Sequence, residues 1–496
     1  MKRYILERVL KSIVSIFAVV SIVIVMLYTM IPSNKVFDND PAYKKMSGDT
    51  KTIYSNQTLD TLKYQYFARV GEICEYSCEK GSAEFANCTT DNSSKEQKTA
   101  IENMANNGFE MSTLKSGEPY GVHTYNAFEL LTHFYSSFLV LDTKNSIQDE
   151  NNPNLERKYY FGKNPDNGTP ALMCSGCNYK YQIYFNGSFP FIHSNILTFN
   201  FGTSYPSNKG IPTLTVINRG QGATKETEQT FPTGATLKSS LIQTSCKYKA
   251  KTDHLDANRF DDNYANCENA YESPSMVMTS YIIGVISLII AYVLAIPAGI
   301  AMAQYKDKLI DKIGIVYINL LVAIPSLAFI FFMRSVGNKF GLPDKFPQLG
   351  FNDIRSYIMP VVILALMSTP GLMMWLRRYM IDQSSQDYVK FARAKGLSQT
   401  EIFNKHILKN AIIPIVNGIP GSIILSISGA LITESAFAVP GMGKMLPDAI
   451  KVVNNNMVIT LVFIFTTLSI LSVLAGDLLM TVVDPRIQLV SKGGND

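Results

Sequence analysis

Six uncharged apolar runs restrict what this chain can fold into. They are Ser12–Pro32, Val277–Ala303, Ile313–Met333, Ser356–Leu376, Ala411–Thr433 and Met457–Gly476. A hydrocarbon core of about 30 Å needs about 20 apolar helical residues. Each run meets that length without one Asp, Glu, Lys or Arg. The first run has the basic start of a signal peptide (Lys2, Arg3, Arg8, Lys11). Its core is too long for one, however, and no small-x-small cleavage site follows Pro32. The expectation is an all-α polytopic membrane protein with six transmembrane helices.

Basic residues orient the bundle, because Lys and Arg concentrate in short cytoplasmic loops. Sixteen of them lie in the N-terminus, Gln304–Lys312, Arg377–Lys409 and the tail from Asp484, against five in Val336–Arg355 and Phe437–Asn456. Both termini are therefore expected in the cytoplasm, and the long segment after the first span outside. The chain divides into 1–33 (N-terminal segment and first helix), 34–275 (extracytoplasmic), 276–486 (spans two to six with loop 377–409) and a tail, 487–496.

The polar outer segment explains why mean hydropathy over all 496 residues is only +0.07. Within it, Leu59–Val70 and Ala127–Phe138 read as amphipathic helices. Ile196–Phe201 and Thr213–Ile217 alternate like strands, and Asn186-Gly187 between aromatic runs signals a type I′ hairpin. A folded α+β insertion is expected. All seven cysteines lie here: Cys74, Cys78, Cys88, Cys174, Cys177, Cys246 and Cys267. Their segregation fits disulfides on an oxidising side of a membrane. Zinc at Cys174-Ser-Gly-Cys177 and unpaired thiols are the alternatives, and pairing does not follow from spacing alone. Cys246 and Cys267 are the best pair because they flank one polar insertion. Five Asn-x-Ser/Thr sites (Asn56, Asn87, Asn92, Asn167, Asn186) are what such a composition yields by chance.

Some functions are excluded or disfavoured. The net charge of +5 is modest and its cations sit in short loops, unlike a nucleic-acid surface. No G-x-x-x-x-G-K-[ST] occurs, so the chain carries no P-loop. Asp477 is the sole carboxylate well inside the sixth apolar region. Intramembrane acids default to a functional reading, but Asp477 lies close to a cytoplasmic end, where an inter-helix bond is expected.

Loop 377–409 is the most informative soluble stretch. Ser384-Ser385-Gln386-Asp387 looks like a helix start, with Asp387 placed for a capping box, and Gly396 like a C′ glycine. These signals predict a helix of about eleven residues. Ser398-x-x-Glu401 is a second capping box, starting a helix that Pro414 kinks or restarts. Tyr388, Phe391, Ala392 and Lys395 share a face suited to a partner. From physics alone, that face equally fits a positive-inside loop packed on its own bundle.

The run Tyr388-Val389-Lys390-Phe391-Ala392-Arg393-Ala394-Lys395-Gly396-Leu397-Ser398, continuing to Asn410-Ala411-Ile412-Ile413-Pro414, resembles the EAA loop of ABC-importer permeases. More narrowly it resembles the dipeptide/oligopeptide subclass. Lys390 and Phe391 replace the glutamate and second alanine of the generic motif, and the peptide subclass also lacks that glutamate. Glu434-x-x-Phe437-x-x-Pro440-Gly441-x-Gly443, Asp477-Leu478-Leu479 and Asp484-Pro485-Arg486 resemble the later segments of the same subunits, and Arg3-Tyr4-Ile5-Leu6-x-Arg8 their start. Phe201-Gly202-Thr203-Ser204-Tyr205 and Pro232-x-x-x-Thr236-Leu237 resemble the stretch before their second span. The chain is similar to the first permease of Opp/Ami-type oligopeptide importers. Its large outer loop resembles a streptococcal relative. Extra residues after the first span and at Thr244–Ser275 depart from the usual pattern.

The resemblance implies a type I ABC-importer permease fold and half of a pore in a bacterial plasma membrane. It implies a second homologous permease, two ATP-binding subunits, an extracellular peptide-binding lipoprotein and an oligopeptide substrate. This chain is then no enzyme and holds no cofactor, ATP and Mg²⁺ residing on the partners. Tyr388, Phe391, Ala392, Arg393, Ala394, Lys395, Gly396, Leu397 and Ser398 would couple to an ATPase. Glu434, Phe437, Pro440, Gly441, Gly443 and Asp477 would serve the pore, gate or packing. The rival readings are a secondary peptide transporter, which should show repeated halves and more buried charges, and a receptor with an outer ligand-binding domain.

Overall fold

Long apolar helices carry most of the architecture because a backbone in hydrocarbon must satisfy its own hydrogen bonds. The computed structural model describes residues 2–31, 126–142, 156–164, 168–185, 192–218, 227–231, 233–239, 246–267, 275–426 and 430–483, with short pieces between 35 and 122. The predicted helix Leu59–Val70, Cys78, Cys88, the side chain of Cys74, the five Asn-x-Ser/Thr asparagines and the segment from Asp484 lie outside the described residues.

Among the described residues, four helices are long and apolar enough to cross a membrane singly: α1 (Lys2–Met30), α4 (Met276–Gln304), α7 (Arg355–Ser384) and α13 (Asn455–Val483). Two further apolar runs are each broken. The third predicted span divides at Ile324-Pro325 into α5 (Leu309–Ala323) and α6 (Ser326–Lys339), bent by 106°. Pro325 carries no N–H and fixes φ, so the helix restarts there on a new axis. Where the fifth was expected, α9 (Gln399–Ala411), which begins in loop 377–409, meets α10 (Ile413–Leu425) at 45°, with Pro414 in the first turn of α10. By length and composition the described residues thus give four helices able to span singly, or up to six spans if each bent pair counts as one. The short helices α8 (Asp387–Ala394), α11 (Leu431–Phe437) and α12 (Met442–Lys451) complete this part.

α4 packs along α7, α10 along α13, and α1 along α13. Small residues permit the closest approaches: a Cβ added at Gly284 would collide with Ser426, and one at Gly299 would press on Leu376. Pro297, Pro370 and Pro420 all lie inside helices.

The segment between α1 and α4 is α+β, as expected. An antiparallel sheet orders β5 (Lys158–Lys163), β6 (Pro170–Ser175), β7 (Tyr181–Phe185) and β8 (Ile192–Ser194). Smaller pairs join β4 (Leu139–Leu141) to β9 (Leu197–Phe199), β10 (Thr227–Thr230) to β11 (Thr236–Ser239), and β12 (Lys247–Tyr248) to β13 (Tyr264–Ala265). A three-stranded sheet orders β1 (Ile73–Cys74), β3 (Pro119–Val122) and β2 (Glu110–Thr113). Disulfides Cys174–Cys177 and Cys246–Cys267 are formed. The second bond closes the β12–β13 insertion at its base, and Cys246 packs it into a core with Ala171, Met173, Tyr181, Tyr184 and Tyr264. The Asp142 carboxylate, buried below that sheet, accepts from Asn178 N, Tyr179 N and Gln182 Nε2 at 2.8–3.0 Å.

Ala127–Phe138 is a helix, α2, with an Asn126/Glu129 capping box. Two local expectations are corrected. Thr213–Ile217 is not a strand but part of helix α3 (Thr213–Asn218). Pro212 precedes it and accepts from Val216 N at 3.1 Å, and Val216 and Ile217 are buried against Val277, Met457 and Leu461. Burial against the bundle overrides the β preference of a branched run. The β7–β8 hairpin is present, but Phe185 pairs with Ile192. Six residues separate them, so the strands are not joined by a two-residue turn, and Asn186-Gly187 itself lies outside the described residues.

Candidate functional site

The connection from α7 to α10 collects most of the residues singled out in the sequence. α7 runs two turns past its apolar stretch to Ser384. The Ser384 and Ser385 hydroxyls donate back to the Ile381 and Asp382 carbonyls at 2.7 and 2.8 Å, so neither caps the next helix. Gln386 takes the N-cap without a side-chain bond. Asp387 is the first helical residue and pairs with Lys390 at 2.8 Å. The expected eleven-residue helix with an Asp387 capping box is therefore the eight-residue α8 without one. Its end matches the expectation. Gly396 has φ +79°, Gly396 N donates to Arg393 O at 2.9 Å, and Leu397 N donates to Ala392 O at 3.3 Å. This is a Schellman turn.

The faces of α8 differ from the sequence reading. Val389 and Ala392 are buried against Leu376, Met380, Ile402, Phe403 and Ile407. Tyr388 is half-buried and donates to Gln383 Oε1 at 2.8 Å. Phe391, by contrast, is 69% exposed. It stands with Asp387, Lys390 and Ala394 on an outer face, flanked by exposed Arg393 and Lys395. Ala392 and Phe391 thus do not share a partner-facing surface: the Val389/Ala392 stripe packs inward and leaves Phe391 outside.

After Gly396 the second capping box is formed. Ser398 Oγ accepts from Glu401 N at 3.3 Å and donates to Glu401 Oε2 at 3.0 Å. Bonds from Ser398 and the charge of Lys405 hold the Glu401 carboxyl below its usual range. The next turn, Ile402–Ile407, is a π-helix, a form frequent at functional sites. It carries Ile402, Phe403 and Ile407 into the core beneath α8.

Two ion pairs lie at the same end of the bundle. Arg377 grips Asp311 with two bonds of 2.6 and 2.7 Å, joining α7 to α5. The Asp311 side chain is 1% exposed and also accepts from Asp307 N at 2.9 Å. Sequence reasoning missed this pair, counting Arg377 among loop cations and placing Asp311 just outside the third run. Asp477 pairs with Arg8, joining α13 to α1.

At the other end of α4, Glu434 is 2% exposed. It accepts from Ser280 Oγ at 2.7 Å, Lys444 N at 3.0 Å and Ala430 N at 3.3 Å. Ser280 Oγ in turn accepts from Met442 N at 2.8 Å. A Cβ at Gly441 would collide with the Glu434 carboxylate, which explains that glycine. Phe437, Pro440 and Gly443 are buried around it. Arg334, unremarked in the sequence, donates to Ala436 O at 3.0 Å and pairs with Asp344 at 3.0 Å. Glu434 thus fastens α4, α11 and α12 together. No cluster of His, Cys, Asp or Glu that could hold a metal is present among the described residues.

Residues 295–489 match the family model described as "Binding-protein-dependent transport system inner membrane component". Over 500 aligned residues, covering 100% of both chains, the sequence is 42% identical to oligopeptide transport system permease protein AmiC of Streptococcus pneumoniae. The chain belongs to the oligopeptide-permease family. The permease is also 30% identical over 208 residues to dipeptide transport system permease protein DppB of Lactococcus lactis, covering 42% of this chain and 68% of that one. It is 31% identical over 216 residues to oligopeptide transport system permease protein AppB of Bacillus subtilis, covering 41% and 67%. A solved inward-facing MetNI methionine ABC transporter aligns to 42% of this chain and 94% of that one, with 16% identity and a TM-score of 0.35. The family-model match takes in α8, both ends of the Asp311–Arg377 pair, Glu434 with its Ala430 and Lys444 donors, and Asp477, while Ser280 lies before it.

Proposed function

We propose that this permease forms half of an ATP-driven import path for oligopeptides, beside a second homologous permease. Six spans cross a bacterial plasma membrane with both termini cytoplasmic, each bent helix pair serving as one span. Residues 34–275 form an extracytoplasmic domain, inserted between the first and second spans, that meets a peptide-binding lipoprotein. ATP and Mg²⁺ belong to two ATP-binding subunits, and α8 is the element they hold. The full-length identity to AmiC supports the substrate class.

The observation that carries the coupling role is the exposed Phe391 on a helix whose other face is locked into the bundle. An exposed aromatic on a rigid element is an anchor for a protein cleft. Force applied to Phe391 passes through Val389 and Ala392 to Leu376 and Met380 of α7, and through Ile402 and Ile407 toward α10. Closure of the ATPases would then bias a bundle with two arrangements.

The test is co-purification followed by peptide uptake in proteoliposomes. Wild-type chain should bring down a homologous permease and two ATPases. Phe391→Asp should retain the permease, lose much of the ATPase and abolish uptake. Recovery of the chain with neither partner would overturn the reading.

A further inference from the structure

The outer domain is not simply suspended above the bilayer. Two contacts set the depth of its lower part. Arg8 of α1 pairs with Asp477 of α13, and Tyr28 of α1 donates to Asn456 of α13 at 3.3 Å. The helical rise from Asn456 to Asp477 is about 31 Å, close to the hydrocarbon thickness of about 30 Å. Phe463 therefore lies about 10 Å below the outer boundary.

Outer-domain residues reach that depth. Phe138 at the end of α2 packs on Phe463 with centroids 5.5 Å apart, and Phe199 of β9 and Phe201 approach the same ring at 5.7 and 5.1 Å. Tyr135 of α2 shares a 2.7 Å hydrogen bond with Ser21 of α1 and stacks obliquely on Phe17 at 5.2 Å. From this buried aromatic cluster the β4–β9 ribbon rises toward the sheet that holds Asp142. Along it Leu139, Val140, Leu141, Leu197 and Phe199 are 40–58% exposed. Leu139, Leu141, Leu197 and Phe199 share one face of the ribbon and Val140 and Thr198 the other, so one face is wholly apolar.

The exposed side of α2 carries Thr132, His133, Ser136 and Ser137 beside Phe128, so α2 positions the ribbon while the ribbon presents the apolar surface. Thr132 donates to Phe128 O at 3.0 Å, Ser136 to His133 O at 2.9 Å, and Ser137 to His133 O at 3.1 Å. These hydroxyls bond to their own helix and need no water acceptor. The charged members, Glu129 and Asp142, are each engaged by backbone N–H donors: Glu129 at the N-terminal cap of α2, Asp142 at the far end of the ribbon.

We infer that the β4–β9 ribbon, held against α1 by α2, is a lipid-inserted wedge, embedding the outer domain among acyl chains of the outer leaflet beside α1. This rests on the reading of α1 and α13 as spans. The physical cause is apolar surface that hydrocarbon covers without cost and water does not. An apolar surface flanked by polar residues at headgroup depth is the signature of an interfacial element. The wedge fixes the height and rotation of the outer domain over the pore without a second membrane anchor.

The test uses the full permease in nanodiscs. Its sole tryptophan, Trp375, is replaced by phenylalanine, and single tryptophans are introduced as Leu139→Trp, Val14→Trp and Leu255→Trp. Val14 is an exposed residue of α1, and Leu255 an exposed residue on a one-turn helix of the outer domain. Leu139→Trp should lose most of its emission when dibrominated phosphatidylcholine replaces the ordinary lipid, and resist aqueous iodide. Leu255→Trp should show the opposite. Iodide quenching of Leu139→Trp without bromolipid quenching, or access by neither quencher because a protein covers it, would overturn the wedge. Val14→Trp separates the two levels of failure: if it also escapes the bromolipid, the reading of α1 as a span fails first.

Discussion

Phe391 and Ala392 are neighbours with opposite environments, and that difference yields the sharpest mutational contrast. Ala392 is 5% exposed against Leu376 and Met380. Ala392→Glu therefore puts an unpaired charge into the bundle, a class of change costing roughly 3–5 kcal/mol when a buried charge lacks its partner. It should lower the melting temperature in detergent. Phe391→Asp should leave that temperature unchanged and remove ATPase stimulation by peptide-loaded binding protein. Equal melting for the two variants would show that the assigned faces are wrong. Gly396→Val isolates the turn between α8 and α9. Nothing lies within 4 Å of a Cβ there, so its effect comes from φ +79°, a strain of about 1–2 kcal/mol. Reduced melting with uptake reduced further than the shift explains is the expected result. Gly396 was legible because helix-ending glycines follow from local sterics. The orientation of Ala392 was not, because a helical wheel does not reveal which stripe the bundle covers.

Among elements, the Asp311–Arg377 pair ties α5 to α7. Removing one partner of a buried pair is costly, about 3–5 kcal/mol, whereas replacing both is often nearly neutral. Asp311→Asn should destabilise the detergent-solubilised permease strongly. Asp311→Leu with Arg377→Met should recover much of the loss. A double variant as unstable as the sum of the single ones would show that the two residues act separately. The apolar lengths made the helices readable, but not the Ile324-Pro325 break, which needs Pro325 to end one helix and start another across the same uncharged run. Nor did alternation reveal that Thr213–Ile217 is helical, since its conformation depends on Val277, Met457 and Leu461 from distant segments. The capping box at Ser398 was a local signal, and the amphipathic helix Ala127–Phe138 has the predicted bounds.

In the assembled membrane protein, the proposed orientation rests on sixteen basic residues against five. With native thiols blocked, cysteines introduced at Lys345 and Lys444 should react with an impermeant maleimide from outside, and cysteines at Lys308 and Lys390 only after permeabilisation. Outside labelling at Lys390 would invert the topology and leave α8 on the wrong side for any ATPase. Whether such a subunit holds α8 is read out by photo-crosslinking within the intact importer. A benzoylphenylalanine placed at Phe391 should form an adduct with an ATP-binding subunit, and one placed at Val389, which is 0% exposed, should not. No adduct from position 391, or one confined to the permease itself, would contradict the account.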